Sequence, residues 1–261
     1  MEDFMYTYEN EKFDYQKYWY FYDEGKFFSV PKTENIKDYE KKYFQKTPSN
    51  LFDYLFCNQK CPFKEKHFYF FAIRTDFIHS QQISNIITFF QELLKVSHHL
   101  ILKGYIVFFY YEKKDFDFLD IIPSLNEDFN SNLVLFESGP IDRSQPEGFR
   151  ILFDIYFQFY EKHPIRYLNN TLLIIELAKY QADQISKITS ILLKTIIEDP
   201  SFLFLINALF ENNLNITKTA SSIYMHRNTI NNKIEHIQKE TGFYIQKFND
   251  AMAVYILLKW K

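Results

Sequence analysis

The side chains best suited to chemistry form a polar run near the C-terminal end. His226, Arg227, Asn228 and Thr229 are followed by Asn231, Asn232 and Lys233, with only Ile230 between. A guanidinium or ammonium donates to phosphates and guanine edges, and a carboxamide matches the donor–acceptor pair of adenine. The charge balance agrees: residues 200–261 carry 7 Lys+Arg against 4 Asp+Glu, +3, while residues 1–199 carry 23 against 29, −6. The whole-chain net charge of −3 conceals this division.

Other candidate chemistries lack essential parts. The five glycines, Gly25, Gly104, Gly139, Gly148 and Gly242, are too scattered for a Walker A loop or a GxGxxG turn. None of the seven histidines belongs to an HExxH pair, and no GxSxG elbow is present. Cys57 and Cys61 are spaced CxxxC, with His67 and His79 beyond, which is half of a zinc site without a second cysteine pair. Ordinary reduced thiols are the expectation, with no metal, no cofactor and no enzymatic activity. An acidic start (Met1, Glu2, Asp3) and apolar runs of strand length point to a cytoplasmic protein without a membrane span.

The polar run has to be carried by helices. Asp199-Pro200 starts one, the carboxylate capping free N–H groups and proline occupying the first turn, with Leu203, Ile206, Leu209 and Phe210 on its apolar face. Asn215 caps a second, Ile216 to Ile223, whose expected buried side is Ile216, Ala220 and Ile223. After Tyr224-Met225 a third runs from about His226 to Glu240, with Ile230, Ile234 and Ile237 on one stripe and Gly242 closing it. A fourth is capped by Asn249 or Asp250 and buries Met252, Tyr255 and Ile256. Two short helices, a small residue at their crossing and a third helix with a polar outer face make a helix-turn-helix pattern. The same pattern serves DNA readers and non-enzymatic interaction or assembly modules that do not bind DNA.

The stretch from Asn215 to Ile234, with His226-Arg227-Asn228-Thr229 at its centre and Thr241-Gly242 after it, resembles the C-terminal helix-turn-helix of PucR/CdaR-type bacterial transcriptional regulators. The match runs from about Asp199 to Leu258. It implies a Fis-like reader that binds double-stranded DNA, with Asn215, Thr217, Lys218, His226, Arg227, Asn228, Thr229, Asn231, Asn232 and Lys233 at the interface; a single such helix makes few phosphate contacts, so a homodimer is expected. The chain departs from the usual pattern at Asn231 and Lys233, where arginines are common. Asparagines on the reading helix favour an A·T-containing site.

Upstream, aromatic segments Tyr18 to Tyr22 and Phe27 to Val30 read as a hairpin around Gly25, and residues 32–48 as an exposed helix or linker ending at Thr47-Pro48. Leu51 to Cys57 is a short helix, His67 to Thr75 a buried strand, Gln81 to Val96 a helix, and Leu100 to Tyr111 a hairpin around Lys103-Gly104. A weaker helix (Phe116 to Phe129), a strand (Leu133 to Phe136) and an aromatic helix (Phe149 to Glu161) follow. Thr171 to Tyr180 and Gln184 to Ile197 read as helices. The expected fold is α+β, an antiparallel sheet covered by helices and then an all-α helix-turn-helix domain. Its segments are residues 1–50, 51–164, 165–198 and 199–261. By resemblance, residues 51–164 are a degenerate cyclase-like domain without catalysis, since no adjacent glycines supply a Gly-Gly-acidic turn. An effector for the front of the chain is left open.

Overall fold

Aromatic side chains alternating along short segments, and glycines placed between them, dictate the first part of the chain. The computed structural model describes residues 14–23, 26–46, 49–75, 80–95, 98–112, 114 and 116–260. The turn at Gly25, the boundary at Thr47-Pro48 and the candidate ligand His79 lie outside the described residues. The chain divides into two compact units, residues 1–136 and 137–261.

In the first unit, strands β1 (Tyr18–Asp23) and β2 (Lys26–Pro31) pair antiparallel with Tyr20 opposite Ser29. Helix α1 (Lys37–Lys42) leads into β3 (Phe44–Lys46), which pairs with the other side of β1. Residues 32–48 were expected to lack a strand; three residues give no readable alternation, and β3 exists because β1 offers it a free edge. Helix α2 (Asn50–Cys57) follows. Lys46 is buried and its ammonium pairs with Asp53 of α2.

In a second sheet β5 (His98–Leu102), β6 (Tyr105–Tyr110) and β4 (His67–Arg74) are consecutive strands, and both of these pairs are antiparallel. Lys103 and Gly104 both adopt positive φ, 47° and 76°, the geometry of a two-residue type I′ hairpin whose twist matches that of its strands. Helices α3 (Ser80–Leu93) and α4 (Phe118–Asp128) complete the unit. Phe71 of β4 stacks on Phe118 at 3.8 Å, and Phe68, Phe70, Phe90, Phe108 and Phe109 are fully buried. Each such ring contributes about 1.5–3 kcal/mol by leaving water, so the aromatic excess is core material.

Strand β7 (Leu135–Glu137) precedes β8 (Ile141–Asp142), the long helix α5 (Pro146–Lys162) and β9 (Tyr167–Asn169). Everything described after β9 is helical: α6 (Asn170–Tyr180), a 3₁₀ turn (Ala182–Gln184), α7 (Ile185–Leu192), α8 (Lys194–Glu198), α9 (Pro200–Glu211), α10 (Ile216–Ser222), α11 (Arg227–Thr241) and α12 (Phe248–Lys259). The expected single helix from Gln184 to Ile197 is broken at Leu193. The fold is thus α+β at the front and helical at the end. Helix α5, grouped by sequence with the α+β segment, packs against α7 within the second unit.

Candidate nucleic-acid interface

Capping side chains set where the first three helices of the tail begin. The Asp199 carboxylate accepts from the Ser201 amide at 2.8 Å, and Pro200 fills the first turn of α9. Hydrogen bonds from Ser201, helped by the nearby Lys233 and His236 charges, hold this carboxyl below its ordinary range. The α9 face buries Phe202, Leu205, Ile206, Ala208 and Leu209. Asn213 and Leu214 then take left-handed backbone, φ 54° and 61°, and turn the chain into α10. The Asn215 carboxamide oxygen caps α10 by accepting from the Lys218 amide at 2.9 Å. Asn212 ties the two helices, donating to the Ala208 carbonyl at 2.8 Å and to the Ser222 hydroxyl at 3.1 Å.

The residue buried at the helix crossing is Thr219, fully removed from solvent, whereas Ala220, Ile216 and Ile223 are half-buried. This corrects the expected Ala220 by one position. The Thr219 hydroxyl has no hydrogen-bond partner among the described residues. At the far end of the turn His226 caps α11, its Nδ1 accepting from the Asn228 amide at 3.2 Å.

Helix α11 is held from behind by Ile230, Ile234, Ile237 and Thr241, all buried. Gly242 ends it in left-handed conformation, φ +80°, its amide donating to the Gln238 carbonyl at 2.8 Å. Its α-carbon faces Pro140 so closely that a β-carbon there would stand 2.8 Å from the proline Cδ. The fourth helix departs from expectation. Its first turn follows Lys247, Asp250 sits inside it and binds the Tyr244 amide (2.9 Å) and the Thr171 hydroxyl (2.6 Å), and its buried face is Ala251, Ala253, Val254, Ile256 and Leu257. Tyr255 is exposed and Met252 half-buried, because a helix apolar nearly all round leaves its packed side undetermined by sequence.

Of the residues singled out by sequence, Thr217, Lys218, Arg227, Asn228, Thr229, Asn231 and Asn232 are exposed, and Arg227 to Asn232 crowd the first turns of α11. Asn215 and His226 are also exposed, with one side-chain acceptor each committed to a cap. Lys233 is set apart. It is half-buried, donates to the Ser201 hydroxyl at 2.9 Å and lies 4.6 Å over the Phe202 ring, turned toward α9. Tyr224, at the turn between α10 and α11, is 98% exposed and was not among the residues sequence selected. An aromatic between two capped helices carries no spacing signal of its own.

Comparison with known proteins settles the identity of this region, since residues 203–260 match the model of the PucR C-terminal helix-turn-helix domain. The chain carries a PucR C-terminal helix-turn-helix domain. Within it, α10 and α11 are the two helices of the motif. Among solved structures the chain is similar to a regulator of polyketide synthase expression from Bifidobacterium adolescentis, at 14% identity over 76% of this chain and 82% of that one, with a TM-score of 0.34. A search of curated proteins finds no match.

Outside the PucR domain, Cys57 and Cys61 are free thiols. The Cys57 thiol points at the Asp53 carboxylate (3.8 Å) and that of Cys61 at the Phe63 carbonyl (3.3 Å). Among the described residues no group of three His, Cys, Asp or Glu could hold a metal ion, and no helix is long and apolar enough to cross a membrane.

Proposed function

We propose that this protein is a sequence-specific DNA-binding transcriptional regulator, not an enzyme, which acts as a homodimer through its PucR domain. The observation that supports this most is the exposed, acid-free cluster Arg227, Asn228, Thr229, Asn231 and Asn232 on the first turns of a helix fixed from behind by three buried isoleucines. Those turns are where a recognition helix meets base edges. Lys218, Thr217 and the exposed edge of α10 then approach phosphates, while Lys233 supports α11 from the α9 side. Asn231 and Asn232 favour adenine-containing steps. One such helix makes few phosphate contacts, so useful affinity calls for two copies on half-sites about one helical turn apart.

The test is fluorescence anisotropy on duplexes recovered by selection from a random pool. Replacing both Arg227 and Asn232 by alanine is expected to abolish specific binding without changing the circular dichroism spectrum, since both side chains are exposed. Wild-type affinity in that double variant refutes the assignment of α11. Sedimentation is expected to show two protomers per bound duplex, and a single protomer overturns the dimer.

A further inference from the structure

The turn between α10 and α11 contains a residue that the fold itself does not explain. Tyr224 has φ +52°, in the left-handed region where glycine sits without strain and asparagine is tolerated. The turn is closed on both sides of it, the Ile223 amide donating to the Thr219 carbonyl and the Met225 amide to the Ala220 carbonyl, each at 3.0 Å. A left-handed residue is therefore required at this point, yet the position holds a large aromatic one. The ring recovers nothing from the protein: it is 98% exposed, the most exposed of the large hydrophobic residues among those described. One residue further on stand His226, which caps α11, and Arg227, its first residue.

We propose that Tyr224 is a DNA-backbone contact that positions the recognition helix, its phenol donating to a phosphate oxygen at the rim of the groove and its ring lying against the adjoining deoxyribose. This rests on the DNA-binding reading above and extends it to a residue outside the polar run. The placement follows from the motif: when the first turns of α11 enter the major groove, the turn preceding them is left beside the sugar–phosphate strand. A phenol suits that place, with an apolar body for the sugar and one strong donor for the anion. A backbone contact fixes register and orientation and carries no sequence information.

The experiment compares wild type with Tyr224→Phe, Tyr224→Asn, Lys218→Ala and the double variant Arg227→Ala/Asn232→Ala, on the selected duplex and on a scrambled duplex of the same length and composition. Tyr224→Phe is expected to weaken binding about tenfold on both duplexes, the effect of losing one hydrogen bond to a charged acceptor. Its salt dependence should match wild type because tyrosine is neutral, whereas Lys218→Ala should flatten the slope by about one counterion. Tyr224→Asn is expected to lose at least as much affinity while melting no lower than wild type, since asparagine tolerates the left-handed backbone. If either Tyr224 variant binds within about twofold of wild type while the double variant has lost binding, this inference is overturned and the DNA-binding reading stands. A loss confined to the selected duplex would also overturn it, because the ring would then be reading bases. If wild type binds neither duplex, both readings fall together.

Discussion

Replacing Gly242 by alanine puts two separable costs on the end of α11. The first is the backbone: φ is +80°, and an L-residue held in the left-handed region loses about 1–2 kcal/mol relative to glycine. The second is steric. The new β-carbon would stand 2.8 Å from Pro140 Cδ and 3.4 Å from Gly139 Cα, and a pyrrolidine ring has no rotamer by which to withdraw. Overpacking of this kind costs about 1–3 kcal/mol, so Gly242→Ala is expected to destabilise by about 2–5 kcal/mol. Two further variants divide the sum. Gly242→Asn keeps the steric part while easing the backbone part, and is expected to lie between wild type and alanine. Pro140→Ala added to Gly242→Ala removes the ring atoms, and the double-mutant cycle should return a favourable coupling of about 1–3 kcal/mol. Urea unfolding followed by far-ultraviolet circular dichroism measures these proteins together with Pro140→Ala alone, which closes the cycle. If Gly242→Ala unfolds within about 0.5 kcal/mol of wild type, the range of an ordinary surface substitution, or if the cycle shows no coupling, then the helix end does not rest on Pro140 as described.

Thr219→Val is expected to stabilise the protein by about 1 kcal/mol, because it removes a fully buried hydroxyl without a partner and keeps the side-chain shape; a lower melting temperature than wild type would show that the hydroxyl is satisfied in solution. Asp142 supplies a pH dependence. Burial alone would raise its pKa, but hydrogen bonds from Ser144 (amide at 2.8 Å) and the charge of Lys194 at 3.4 Å outweigh it and hold the carboxyl below the usual range. Its stabilisation is therefore complete above the unfolded value, about 3.9, and is lost as pH falls through the lower folded value. Asp142→Asn should flatten the acid limb of the stability–pH curve, and an unchanged limb would exclude this cluster as a source of it.

Where a local mechanism sets a boundary, the residues revealed it in advance. Asp199-Pro200, Asn215 and Gly242 mark the ends of α9, α10 and α11 because capping depends on the residue itself and on backbone groups two or three positions away. The stripe of Ile230, Ile234 and Ile237 was legible for the same reason, since four turns establish a period. Seven residues do not, which is why Thr219 rather than Ala220 occupies the crossing. Lys233 illustrates a different limit. Its place in the polar run suggests an outward charge, but a hydroxyl thirty-two positions earlier, Ser201, and the ring next to it draw it aside. Contacts between distant segments leave no spacing in the chain.

The cap at the start of α11 also decides what its first side chain can offer outward. With Nδ1 of His226 accepting from the Asn228 amide, the neutral imidazole must carry its proton on Nε2. The ring therefore presents an N–H to its surroundings and no acceptor. Such a group can meet a phosphate oxygen or the acceptor edge of guanine, but it has nothing to receive the amino groups of adenine or cytosine.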